Sequence, residues 1–313
     1  MPTFAVRLRT VALPSGLTLA SEEYGAVDGT PVFFFHGWPS AAVQGALMHD
    51  AAEELGIRLI AVSRPGIGRS TPQPGRRLVD WPPVIRQLAV ERGFERFRVL
   101  GVSGGGPYAL ACAWALGDLV EAGAVICGVP PLAEIGSARG FNAGYRSMIR
   151  VYQRRPWAIR GFFRLMHPLA RVSPPGWMLV LMRGVLAGPD KATLKDRTIS
   201  KICYDGFRGA WGDYRDGVFE DAELYTKPWG FPLEEIRVPV RVWHGTEDRN
   251  FSYTLSDYGR RLPRGEVRIV PGEGHYSLPI RHAREILADL VAGSAPAPQS
   301  RGGAKNHVSM NHG

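Results

Sequence analysis

The 313-residue chain is 45% hydrophobic and 21% charged, which suits one large α/β domain with a substantial core and excludes wholesale disorder. No stretch reaches the roughly 18 consecutive apolar residues of a membrane span, and the first residues lack the apolar core of a secretory signal, so a cytoplasmic chain without a membrane span is expected. The formal charge of +9 includes 16 Lys/Arg against 8 Asp/Glu between Ala138 and Gly230; with no basic run and no nucleic-acid-binding motif, this reads as a solvated basic face or one that steers anionic substrates, and no nucleic-acid partner is expected.

The first elements alternate between strand and helix. Ala5 to Leu13 and Leu17 to Glu23 read as a hairpin-like pair around Pro14-Ser15-Gly16. Pro31 to Phe35 is a continuous apolar run, as in a strand buried on both faces. A helical stretch from Ala41 to Leu55 leads to a strand over Arg58 to Ser63, and a helix over Val84 to Arg92 to a strand over Phe97 to Val102. The small apolar run Ala109 to Leu116 continues as a helix, followed by a strand over Glu121 to Cys127. This is the rhythm of a parallel sheet with crossover helices.

The rhythm stops from Pro130 to Glu235, where the pattern is helical and rich in arginine and aromatics, with Trp157, Trp177, Trp211 and Trp229. Ser173-Pro174-Pro175-Gly176 and Gly188-Pro189-Asp190 punctuate it. Strands then resume at Val238 to Trp243 and Glu266 to Val270, with helices over Tyr253 to Arg261 and Ile280 to Ala292. The expected organisation is a core of residues 1–129 and 236–292, a helical cap or lid inserted at 130–235, and a disordered tail at 293–313. Cys112, Cys127 and Cys203 cannot pair completely, which suits reduced, buried thiols.

Ser103 lies in Gly101-Val102-Ser103-Gly104-Gly105, between an expected strand and helix. A chain that turns from strand to helix at one residue strains its backbone there and needs small neighbours, leaving the hydroxyl clear of the sheet. Ser103 is therefore a candidate nucleophile, and it needs a base and an orienting carboxylate. His275 follows the strand ending at Val270-Pro271, and Asp248 follows the strand ending at Trp243, so both sit where sites form in open α/β sheets. The order Ser103, Asp248, His275 is that expected of a triad on this architecture, with Glu247 as the second choice of acid. An oxyanion hole is expected from the backbone N–H groups of Trp38, in His36-Gly37-Trp38-Pro39, and of Gly104, with His36 shaping the loop. Activity is expected to fall as His275 protonates, near pH 6–7 if its pKa stays close to the ordinary ~6.5.

Taken together, His36-Gly37-Trp38-Pro39, Arg64-Pro65-Gly66-Ile67-Gly68-Arg69-Ser70, Gly101-Val102-Ser103-Gly104-Gly105, Gly245-Thr246-Glu247-Asp248 and Gly274-His275 resemble the α/β-hydrolase fold superfamily, as a capped, esterase-like serine hydrolase. The resemblance implies a mostly parallel eight-stranded sheet with helices on both faces and an inserted helical cap. Ser63 departs from it where the family often has aspartate, a change expected to affect loop packing. It further implies hydrolysis of a small apolar or amphipathic ester or lactone through an acyl-enzyme, with no cofactor and no metal. The lid's aromatics and arginines would line the pocket. Carbon–carbon or amide hydrolysis by the same triad is the alternative, and a non-catalytic binding protein of this fold is the rival from another class.

Overall fold

The structure, a computed structural model, describes residues 7–172 and 186–292. Its centre is an eight-stranded sheet of β1 (Arg7–Ala12), β2 (Thr18–Gly25), β3 (Thr30–Phe35), β4 (Ile57–Val62), β5 (Phe97–Val102), β6 (Val120–Ile126), β7 (Val240–Gly245) and β8 (Gly265–Val270), in the order β1-β2-β4-β3-β5-β6-β7-β8. Only β2 runs against the other strands. Gly16 closes the first hairpin at a φ of +82°, a conformation glycine adopts without a steric cost.

Each central strand feeds two cores. Phe33, Phe35, Ile60 and Val62 pack with α2 (Trp81–Glu91) and α3 (Gly106–Ala115) on one face. Val32, Phe34, Leu59 and Ala61 pack with α1 (His49–Glu54) and, near the C-terminus, a helix over Ala283–Val291 on the other. Burial on both faces is why the stretches Val32–Phe35 and Leu59–Val62 are apolar throughout.

Between β6 and β7 the described residues form α4 (Leu132–Ile135), α5 (Ala143–Arg154), α6 (Pro156–Ala170), α7 (Gly188–Thr193), α8 (Arg197–Ala210) and α9 (Gly217–Thr226). Asn142 caps α5 by accepting the Tyr145 N–H, and Asp196 caps α8 by accepting those of Thr198 and Ile199. Phe163, Ala210, Trp211, Val218 and Phe219 form a third apolar cluster that reaches Ala41 and Ile67, in the loops after β3 and β4. The helical segment thus sits over the strand C-termini. Trp177, Ser173-Pro174-Pro175-Gly176, the tail from 293 and residues 1–6 lie outside the described residues.

Several expected helices differ in detail, and the one expected over Tyr253 to Arg261 is a 3₁₀ stretch. Ala41 to Leu55 divides into a 3₁₀ stretch (Ala42–Met48) and α1. The last helix is two, α10 (Ser277–Arg281) and α11 (Ala283–Val291), and begins ahead of Pro279, which the first helical turn accepts because its missing N–H has no partner there. Among the described residues no helix is long and apolar enough to cross a membrane.

Candidate active site

Ser103 stands at the end of β5, at a φ of +53°, and leads through a single 3₁₀ turn into α3. The glycines around it are sterically required. A Cβ at Gly105 would run into the Phe35 carbonyl oxygen, and one at Gly101 into the Gly105 carbonyl oxygen. Non-glycine residues at positive φ are uncommon and strained, so the packed turn holds the serine in a conformation it would not choose alone.

The loops after β7 and β8 bring Asp248 and His275 to it. His275 Nε2 lies 3.0 Å from Ser103 Oγ, and Nδ1 lies 2.7 Å from Asp248 Oδ2. All three residues are buried. Asp248 Oδ1 accepts the N–H groups of Asn250 at 2.7 Å and Phe251 at 3.2 Å, while His244 Nε2 lies 3.0 Å from Oδ2. Burial works to raise the Asp248 pKa, but His275 and the hydrogen bonds from His244 and His275 hold it well below the usual carboxylate range. Burial likewise pushes His275 down, and it is overcome: the negative charges of Asp248 and, behind it, Asp190 hold the imidazole above its ordinary value. The expectation of an ordinary histidine pKa is corrected accordingly. Glu247, the second choice of acid, is exposed and donates its N–H to the Glu273 carbonyl, while the carboxylate at His275 Nδ1 is that of Asp248.

The loop after β3 reaches the same point from the other side. A Cβ on Gly37 would lie 3.4 Å from the Ser103 Cβ, and one on Gly104 would lie 2.9 Å from the Trp38 Cβ. Trp38 and Gly104 are therefore neighbours across the serine turn. Arg64, after β4, holds the loop from beneath by donating to the carbonyls of His36 and Gly37. Its guanidinium pairs with Asp221 of α9, whose carboxylate also accepts from Arg76, Tyr108 and Tyr225. His36 is buried with Nδ1 2.8 Å from the Gly37 carbonyl, and burial followed by the Arg64 charge lowers its pKa well, which keeps the ring neutral. Ser63, the departure noted in the sequence, accepts the Ala42 N–H through Oγ and the Ser70 hydroxyl through its carbonyl, a packing role in these loops.

Ser103 opens onto a cavity of about 80 Å³. Its walls are Trp38 and Phe251 from the core loops and Tyr145, Met148, Phe163, Phe219 and Tyr225 from the helical segment; among the described residues Glu223 is the one charged lining residue. The aromatic lining was expected, as were arginines, but no arginine lines it among the described residues. Arg160 and Arg164 pair instead with Asp216 and Glu220, and Arg171 with Asp213. Nor do the segment's tryptophans line it among the described residues: Trp157 is 70% exposed, Trp211 stacks on Phe163, and Trp229 packs between Phe231 and Tyr258.

Sequence reasoning did not assign Arg64, His244, Asp190 or Asp221. Arg64 sits inside a quoted motif and His244 directly precedes one; Asp190 lies in a run read as punctuation, and Asp221 carries no local signal. Cys127, His244 and Asp248 lie close enough to share a cation, but the polar atoms of His244 and Asp248 are already committed to Ser256, Phe251, His275, Asn250 and each other, which does not suit a metal site.

Residues 32–290 match the Alpha/beta hydrolase family. The chain is similar to the bifunctional esterase/perhydrolase of Acinetobacter calcoaceticus, being 26% identical over 299 residues that cover 90% of this chain and 98% of that one. Among solved structures it is similar to a bromoperoxidase from Bacillus anthracis, with a TM-score of 0.66 and 19% identity over 92% of this chain and all of the other. An esterase from Rhodococcus sp. ECU1013 gives a TM-score of 0.65 and 20% identity over 92% of this chain and 99% of the other. At these identities the structural likeness is one of fold.

Proposed function

Because the chain belongs to the alpha/beta hydrolase family, we propose that it is a serine esterase acting on small apolar carboxylic esters or lactones, with Ser103 as nucleophile, His275 as general base and acid, and Asp248 as the orienting carboxylate. The observation that carries this reading is the hydrogen-bonded line from Ser103 Oγ through His275 to Asp248 at the floor of an apolar cavity. The Acinetobacter relative is likewise an esterase. Residues 130–235 act as a cap over the site, and the three free cysteines suit a reducing, cytoplasmic setting.

The reaction proceeds by acyl transfer. Ser103 Oγ attacks the ester carbonyl carbon as His275 Nε2 takes its proton, and the resulting oxyanion receives the N–H groups of Trp38 and Gly104. Collapse breaks the bond to the alcohol, which leaves with the proton from His275. A water molecule, deprotonated by the same nitrogen, then attacks the acyl-enzyme; the acid is released and the serine regains its proton. Asp248 fixes the tautomer and stabilises the imidazolium throughout.

A fluorophosphonate probe and a panel of p-nitrophenyl esters test the assignment. Ser103 is expected to be labelled, and Ser103→Ala to lose both labelling and ester turnover. A folded wild-type protein that resists the probe, or that turns over no ester of any chain length, would refute it. The relative's perhydrolase activity makes peracid formation from the same acyl-enzyme worth assaying in parallel.

A further inference from the structure

Asp190 belongs to α7, in the segment between β6 and β7, and is 2% exposed. The acyl-transfer steps make no use of it. Its carboxylate nevertheless meets the backbone of the residue proposed as base: Oδ2 accepts the His275 N–H at 3.2 Å, while Oδ1 accepts those of Tyr276 and Ser277, both at 2.9 Å. Gly274 leaves room for this approach, since a Cβ there would run into the Asp190 carboxylate. The Ser277 hydroxyl accepts the Gly274 N–H at 2.7 Å and closes the turn from its other side.

A buried carboxylate is costly unless its oxygens find donors, and among the described residues its donors all come from the one turn that carries the imidazole. The groups facing His275 are few. Asp248 lies at Nδ1, the Ser103 hydroxyl at Nε2, Asp190 beneath the backbone, and the rings of Phe251 and Tyr276 pack at 5.1 and 5.6 Å. Around Asp190, Arg281 donates to the Pro189 carbonyl at 3.3 Å, and Lys191 is exposed.

We propose that Asp190 is a positioning residue for His275: by anchoring the backbone of residues 275–277 it sets the imidazole between Ser103 and Asp248, and so makes the inserted helical segment part of the catalytic geometry. The proposal rests on the triad reading above. An error of ~1 Å in such an alignment costs on the order of 100-fold in rate.

The test compares Asp190→Asn and Asp190→Glu with the wild type, using p-nitrophenyl butyrate. Asparagine keeps one acceptor oxygen, removes the charge and sets an NH₂ group against a backbone N–H. Its kcat is expected to fall about 10- to 100-fold with KM within about twofold. The acid limb of its kcat/KM profile is expected to move to lower pH, because a negative charge that favours the imidazolium is gone. Glutamate keeps the charge but displaces the carboxylate, so kcat is expected to fall while the acid limb stays. An asparagine variant with wild-type kcat, or one that loses kcat with the acid limb unmoved, overturns the proposal. If only the glutamate variant folds, its kcat decides: about a tenfold drop supports the proposal and an unchanged value overturns it. Failure of both variants to fold also overturns it, since the residue then serves the fold and not the imidazole. Fluorophosphonate labelling of wild-type Ser103 separates the two readings. An unlabelled wild type rejects the triad, whereas a labelled wild type with indifferent Asp190 variants rejects only this proposal.

Discussion

Arg64 and Asp221, 157 residues apart, form a two-pronged ion pair in which neither side chain has any exposed surface. The same guanidinium donates to the carbonyls of His36 and Gly37, and so joins α9 to the loop that carries Trp38. Its planar fork reaches two carbonyls and a carboxylate at once, a geometry lysine cannot reproduce.

Removing the acid from this pair should be severe. Asp221→Ala leaves Arg64 and Arg76 buried without a counter-charge, and a loss of ~3–5 kcal/mol in urea unfolding is expected. Burial works to raise the Asp221 pKa, yet Arg64 and Arg76 hold it far below the carboxylate range. Its contribution to stability is therefore present above the unfolded-state value of ~3.9 and lost as the pH falls toward the depressed native value. The wild type should then lose more stability than the variant on acidification. Parallel losses in the two proteins would contradict the pairing.

On the proposed mechanism the pH dependence of ester cleavage follows from His275, whose pKa is raised. The base must be neutral, so kcat/KM should fall through an acid limb lying above the ordinary ~6.5. Stability runs the other way. A histidine with a raised folded-state pKa contributes stability below the unfolded value, and that contribution is lost as the pH rises through the folded one. Asp248→Asn removes the largest charge that raises it, so the limb should move to lower pH, with kcat reduced on the order of 10³–10⁴-fold by the wrong tautomer. A wild-type limb centred below the ordinary histidine value would be incompatible with this account.

On the proposed function, the cavity wall sets the chain-length preference. Met148 of α5 lines it, and truncation to alanine opens the space beyond the aromatic rings. In a p-nitrophenyl ester series, Met148→Ala should favour longer acyl chains by ~0.8 kcal/mol per added buried methylene, roughly fourfold in kcat/KM for each. An unchanged length profile in a folded variant would place the acyl chain elsewhere.

Much of the core was legible because its signals are local. The strand expected over Phe97 to Val102 is β5 residue for residue; apart from the partly exposed Arg98 it is buried, which favours apolar and small residues. The glycines flanking Ser103 were readable for a steric reason that Gly101 and Gly105 bear out. Helix starts were less legible where proline occupied the first turn: α2 begins at Trp81, ahead of Pro82 and Pro83, where the sequence suggested Val84. The pocket lining was half-legible. Arginine abundance said nothing about which arginines face acids such as Asp216 and Glu220, and these pairings draw them away from the cavity. Asp190 was the least legible, because Gly188-Pro189-Asp190 has the composition of a turn while its partners lie 85 to 87 residues away.

Engineers often treat the helical segment of such a scaffold as an exchangeable part, to be grafted for a new substrate. Here a graft that kept the hinge points but dropped Asp190 and Asp221 would strand Arg64 without its counter-ion and leave the 275–277 amides unanchored. A chimera should therefore inherit both aspartates along with the donor's pocket wall, or else have compensating residues built into the recipient.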